Sequence, residues 1–143
     1  MTAGMKDFRY KTRLAWVDTD AAKIAHFTAY FKYVERAEEE LYNLLGLSYT
    51  KIASEHHASF PKVEVHCRYL SPCRFNDLLE VILRVTEIKH RSVRTQFSIN
   101  NLSTNKLSAE GYMTSVTASA AVDTAVSLPN EFVIKIKEYF GLA

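Results

Sequence analysis

Apolar and polar positions change rhythm three times along this chain. From Phe8 to Val17 they alternate: Phe8, Tyr10, Thr12, Leu14 and Trp16 share one parity, Arg9, Lys11 and Arg13 the other. A period of two with aromatic side chains predicts a half-buried strand. From Thr28 to Leu45 the period lengthens. Tyr30, Val34, Ala37, Leu41, Leu44 and Leu45 form one stripe, and Lys32, Glu35, Arg36, Glu38, Glu39 and Asn43 fall largely off it. That pattern predicts an amphipathic helix, about 25 Å long at about 1.5 Å per residue. Thr28 stands where an N-cap belongs, and Gly46 where a left-handed residue ends a helix. The alternation then returns. Val63 to Tyr69, Leu79 to Val85, Val93 to Ile99 and Leu107 to Val122 predict four more strands. Pro72 with Asn76-Asp77, Lys89-His90 and the Asn100 to Asn105 cluster separate them as turns. After Pro129, the spacing of Phe132, Ile136, Tyr139 and Phe140 predicts a short tail helix.

Strand, long helix, four strands and tail helix, joined by hairpin-length connections, predict an α+β domain. An antiparallel sheet carries the long helix on one face. Such a sheet has open edges, which proteins usually pair or cover, so a homo-oligomer is expected, a dimer or a dimer of dimers.

The 143 residues suit one domain, 1–143, large enough to bury a full core. A net charge of +2 is too mild for a nucleic-acid partner. The four glycines, Gly4, Gly46, Gly111 and Gly141, are far apart. Their spacing excludes a dinucleotide-binding G-x-G-x-x-G loop, a P-loop and a G-x-S-x-G nucleophile elbow. Cys67 and Cys73 are too few for a disulfide framework or a four-ligand zinc site, and no metal is expected. Met1 to Tyr10 has no apolar leader, and no stretch is long and apolar enough to span a membrane. A cytoplasmic protein with reduced thiols is expected.

Chemistry concentrates in Asp18-Thr19-Asp20, at the end of the first strand and ahead of the long helix. One reading is structural: aspartates cap backbone N–H groups and favour the positive end of a helix dipole. The other is catalytic. Free N–H groups at a helix start hold a developing oxyanion, and a carboxylate beside them serves as base or nucleophile. A D-x-D pair also begins the aspartate-nucleophile phosphatases, but those need a strand–helix alternation that this chain lacks. His56-His57 are adjacent on a segment predicted to be extended, where their side chains diverge, so they are expected in a surface or loop role. Glu35 is expected at solvent or an interface, Glu38-Glu39-Glu40 on a solvated helix face, His66 on the outer face, and Cys67 packed as a small apolar residue.

The run D-T-D-A-A-K-I-A-H-F-T-A-Y, Asp18 to Tyr30, resembles the signature of hotdog-fold acyl-CoA thioesterases of the 4-hydroxybenzoyl-CoA thioesterase group, D-x-D-x-A-G-aliphatic-x-aromatic-x-x-x-Y. The likeness continues through Phe31, Tyr33, Glu35, Arg36 and Ala37, Arg68-Tyr69-Leu70-Ser71-Pro72, Phe75-Asn76-Asp77 and Leu107-Ser108-Ala109-Glu110-Gly111. It implies a hotdog fold, an antiparallel sheet wrapped around one long central helix. It also implies hydrolysis of an acyl-CoA thioester, with coenzyme A as part of the substrate and no separate cofactor. By the same resemblance the catalytic carboxylate is Asp20, and the backbone N–H of Phe27 polarises the thioester carbonyl. Asp18 becomes a supporting residue. Lys89-His90-Arg91 matches a basic triplet that meets the coenzyme A phosphates in one branch of the family. Tyr30, the motif's tyrosine, falls on the substrate side. Two positions depart from the pattern. Lys23 replaces the glycine that lets the loop bend, and as a substrate-side residue it would stand near the acyl or nucleotide entrance. His26 fills the aromatic slot, as a second acid/base group or as packing. A slow or non-catalytic acyl-thioester-binding module, and a thioesterase acting on acyl carrier protein, are the alternatives.

Overall fold

The computed structural model describes residues 6–119, 121 and 124–143. Met1 to Met5, part of the opening expected to lack a leader, lie outside the described residues, as do Ala120 and Val122 of the predicted last strand. Five strands form one antiparallel sheet: β1 (Phe8–Arg13), β3 (Lys62–Tyr69), β4 (Leu78–Ile88), β5 (Ser92–Asn101) and β6 (Lys106–Val116), in the order β1-β4-β5-β6-β3. The two-residue strands β2 (Ala58–Ser59) and β7 (Ala118–Ser119) pair separately. The helices are α1 (Ala29–Leu44), α2 (Tyr49–His56) and α3 (Asn130–Phe140). No helix among the described residues is long and apolar enough to cross a membrane.

The long helix α1 packs on β4 and β1. It buries Tyr30, Tyr33, Val34, Ala37 and Leu41 against Val81, Leu83 and Val85 of β4 and Phe97 and Ile99 of β5. Burying large apolar side chains stabilises by about 1.5–3 kcal/mol each, so this layer is the main source of stability. Phe132, Ile136 and Phe140 of α3 are fully buried. Phe132 closes an aromatic cluster with Tyr42 and Phe60, with ring centroids 5.5 and 4.8 Å away. The expected sheet wrapped around one long helix is therefore present.

Several local expectations need correction. The first strand stops at Arg13, and Trp16–Asp18 form a 3-10 turn that leaves Trp16 73% exposed. The Leu14 N–H still donates to the Asp77 carbonyl in register, but the return bond to the Leu14 carbonyl comes from Asn76 N–H, and the ladder ends there. Residues 49–56, expected outside any helix, form α2, started by Ser48, whose hydroxyl accepts from Lys51 N–H. His56 ends that helix and His57 is left-handed, so the pair is not extended. Glu38 is not solvated. It is 2% exposed and accepts hydrogen bonds from the Tyr49 hydroxyl and the Lys62 ammonium, at 2.5 and 2.7 Å. Thr28 makes no side-chain cap. The last predicted strand breaks at Thr117.

Gly46 has φ +69 and ends α1 as expected. Gly111 has a different purpose. A Cβ there would stand 1.8 Å from the His66 carbonyl oxygen, so only glycine lets β3 lie this close to β6. The far edge of β3 is unpaired among the described residues, and Val63, Val65 and Tyr69 of this strand are exposed.

Candidate active site

The segment between β1 and α1 is held by the backbone at both ends. Thr19 bridges Ala25, Asp20 N–H donates to the Ile24 carbonyl at 3.0 Å, and Lys23 N–H to the Asp20 carbonyl at 2.9 Å. Closing so short a loop requires a left-handed residue, and Lys23 supplies it with φ +64. The loop geometry that glycine would serve is thus kept without glycine. The Asp20 Oδ1 accepts from Ala22 N–H at 2.9 Å, which orients the carboxylate. Its Oδ2 has no hydrogen-bond partner among the described residues.

Asp18 is bound differently. Its Oδ2 accepts from the Tyr33 hydroxyl at 2.7 Å and its Oδ1 from the Lys32 ammonium at 3.2 Å. Both donors belong to α1, so Asp18 fastens the loop to the helix. Its carbonyl also accepts the His26 N–H at 2.9 Å. The side chain is only 10% exposed, held against α1 by Tyr33. Burial pushes the Tyr33 phenol up to about 12, so it remains a donor.

The approach to α1 leaves N–H groups without partners among the described residues, that of Phe27 among them. The His26 carbonyl accepts from Ala29 N–H at 2.9 Å. In a trans peptide the N–H of the next residue points the opposite way, and that N–H belongs to Phe27. It has no partner among the described residues. Asp20, Phe27 and Tyr30 line one cleft of about 450 Å³ with Tyr69, Leu70 and Pro72. Three of the residues expected at the site are therefore together. Tyr30 is buried against Cys73, and burial raises its phenol well above the ordinary value. The N-terminal end of α1 adds positive potential there.

His26 and Lys23 do not line this cleft. The His26 ring lies against Phe27, with centroids 4.6 Å apart. Its Nδ1 pairs with the Thr28 hydroxyl at 2.7 Å and receives Thr28 N–H at 3.3 Å, which ties the imidazole to the residue before α1. Lys23 is exposed on the loop. Lys89, His90 and Arg91 form the β4–β5 turn, where His90 Nε2 pairs with the Ser127 hydroxyl at 2.8 Å. The Asp20 loop adjoins the other end of β4, since Leu14 bonds Asp77 and Ala25 bonds Cys73. Eleven residues of β4 at about 3.3 Å each put the basic turn more than 30 Å away within one chain.

Two polar residues of note had no role assigned from sequence. Tyr69 donates to the Phe27 carbonyl at 2.7 Å. Glu38 lines a second cleft of about 520 Å³ beside Tyr49 and Phe60. Its position was readable, because it lies four residues after Val34 and three before Leu41, on the buried stripe. Glu55, His56 and Glu131 also cluster, away from both clefts. Glu131 is already paired with Lys51 and Lys135 at 2.6 and 3.1 Å, and these bonds with that to His56 pull its carboxyl down to about 2.

Comparison with known proteins follows the same outline. The model of the thioesterase-like superfamily matches residues 14–136. A protein of Aquifex aeolicus (strain VF5) is 31% identical over 81 residues, covering 57% of this chain and 62% of that protein, less than two thirds of its length. The acyl-CoA thioester hydrolase YbgC of Escherichia coli O6:H1 is 29% identical over 94 residues, covering 65% of this chain and 69% of YbgC. Among solved structures, Slr0204, a 1,4-dihydroxy-2-naphthoyl-CoA thioesterase from Synechocystis, superposes with a TM-score of 0.84 at 21% identity, covering 92% of this chain and 96% of that one. SAV2348 of Staphylococcus aureus, solved in complex with CoA, gives 0.87 at 14% identity, covering 99% and 88%. The structural likeness shows the hotdog fold.

Proposed function

Because the chain belongs to the thioesterase-like superfamily, we propose that it hydrolyses an acyl-CoA thioester to a free acid and coenzyme A. One observation carries the reading: Asp20, a carboxylate with a free oxygen, and Phe27, whose N–H has no partner among the described residues, line the same cleft at the start of α1. A relative named as an acyl-CoA thioester hydrolase and a neighbour solved with CoA support the carrier.

The thioester carbonyl oxygen lies toward Phe27 N–H. Asp20 takes a proton from water as the water attacks, or attacks directly to form an anhydride that water then opens. Negative charge gathers on the carbonyl oxygen, where Phe27 N–H and the helix end stabilise it. One such donor contributes about 3–4 kcal/mol to the barrier. The carbon–sulfur bond breaks, and the thiolate leaves with a proton from Asp20 or solvent. Lys23 supports this reading over a non-catalytic module, because its left-handed backbone keeps the loop in the form that glycine would give.

The active assembly in this reading is a dimer formed through the open edge of β3. Self-pairing about a two-fold axis is antiparallel and sets the Tyr69 end of one strand beside the Lys62 end of its partner. The Lys89–Arg91 turn sits at the Lys62 end of its own sheet. The dyad therefore carries the partner's turn to the sheet end that holds Asp20. Two to three strand spacings of about 4.8 Å separate it from β3, a span suited to a nucleotide held by its phosphates.

The test is release of free thiol from a panel of short, branched, aromatic and long acyl-CoAs, followed with a thiol-reactive dye. Turnover of at least one class is expected. No release from any class, by protein that is folded and dimeric, would reject the proposal.

A further inference from the structure

Two carbonyls flank the open Phe27 N–H, and each is tied to a different element. The His26 carbonyl, in the same peptide plane as that N–H, is held by Ala29 of α1 at 2.9 Å. The Phe27 carbonyl, one plane further on, is held by the Tyr69 hydroxyl at 2.7 Å. Tyr69 is the last residue of β3, 42 positions away in sequence. Its ring stands edge-on to the buried ring of Tyr30, with centroids 5.0 Å apart. That contact braces the ring and sets where the hydroxyl arrives.

We propose that Tyr69 is a positioning residue for hydrolysis: by holding the Phe27 carbonyl against the end of β3, it fixes the direction of the Phe27 N–H. The inference rests on Phe27 being the oxyanion donor. The direction of that N–H follows from the torsions on either side of it. With one carbonyl held by α1 and the next by β3, those torsions are clamped, and the N–H keeps one direction. Such a donor stabilises charge only where it is preorganised, so loosening it raises the transition state more than the bound thioester. The single Tyr69 proton is committed to Phe27, and the side chain acts through that peptide. Burial lifts the Tyr69 phenol to about 12, with nearby Cys67 adding to the effect, so the hydroxyl remains a donor at neutral pH.

Tyr69→Phe removes one oxygen and keeps the ring against Tyr30. For this variant kcat falls about tenfold while KM changes less than about twofold. Independently of turnover, the Phe27 amide signal in a proton–nitrogen correlation spectrum shifts and broadens. A wild-type kcat in Tyr69→Phe, or a raised KM at unchanged kcat, would overturn the proposal. So would a Phe27 amide identical in the two proteins. If the wild type hydrolyses no thioester but the Phe27 amide still moves in Tyr69→Phe, the clamp stands and the thioesterase reading fails.

Discussion

The Tyr33 hydroxyl donates to Asp18 Oδ2 at 2.7 Å while accepting the Ala15 N–H at 2.9 Å. This pair separates the two aspartates of the D-x-D run. Asp18 is fastened to α1 through both carboxylate oxygens, whereas Asp20 keeps one oxygen free. Tyr33→Phe leaves the Ala15 N–H unpaired and Asp18 short of a donor. Such losses in a buried setting cost about 1–3 kcal/mol each. Denaturant unfolding should show a lower midpoint at unchanged slope.

The same hydroxyl gives the protein an alkaline limit. The Tyr33 phenol, ordinarily near 10, titrates at about 12 in the folded chain, chiefly because burial disfavours its anion. A pKa raised on folding means that the native state holds the proton more tightly. The associated stability is complete below about pH 10 and lost as pH rises to about 12. Tyr69 behaves alike, also rising to about 12. Thermal midpoints should be insensitive to these groups at neutral pH and fall steeply above pH 10. The fall should be shallower in Tyr33→Phe.

Lys23 adopts a backbone conformation that costs an L-residue about 1–2 kcal/mol. Lys23→Gly relieves this but adds freedom to the unfolded chain. A net gain of about 0.5–1 kcal/mol is expected from these opposed effects. Lys23→Val, β-branched at the same position, should lower the melting temperature. Differential scanning fluorimetry on both variants checks the opposite signs.

Gly111 permits the approach of β3 to β6, and an added Cβ would meet the His66 carbonyl oxygen at 1.8 Å and the Phe97 ring at 2.9 Å. Both sides of the clash are poorly yielding, one backbone and one core aromatic. Gly111→Ala should destabilise by more than about 3 kcal/mol. If dimers form through β3, their dissociation constant should rise as well, which sedimentation velocity would detect.

Where structure follows short-range pattern, it was readable from sequence. The α1 stripe and the left-handed stop at Gly46 are of this kind, while the grouping of Asp20, Phe27 and Tyr30 in one cleft follows from the family resemblance. The failures arise where distant residues decide. Alternation through Trp16 suggests a longer β1, but Asn76, left-handed at φ +69, donates to the Leu14 carbonyl in place of Asp77 and ends the ladder. The helix α2 was missed because it buries only Ile52, leaving almost no stripe. The stripe places Glu38 on the buried face, but the partners that make a buried carboxylate tolerable, Tyr49 and Lys62, are 11 and 24 positions away. The position of Lys89–Arg91 at the far sheet end depends on the whole strand order, which crosses from β3 at one edge to β4.

The most direct test is the kcat of Asp20→Asn on the best acyl-CoA substrate, beside the wild type and Asp18→Asn, with folding checked by circular dichroism. Loss of the acid/base or nucleophilic group should lower kcat by about 10²–10⁴-fold in Asp20→Asn, and the effect in Asp18→Asn should be smaller. Wild-type turnover by Asp20→Asn, or a loss confined to Asp18→Asn, would contradict the assignment of Asp20.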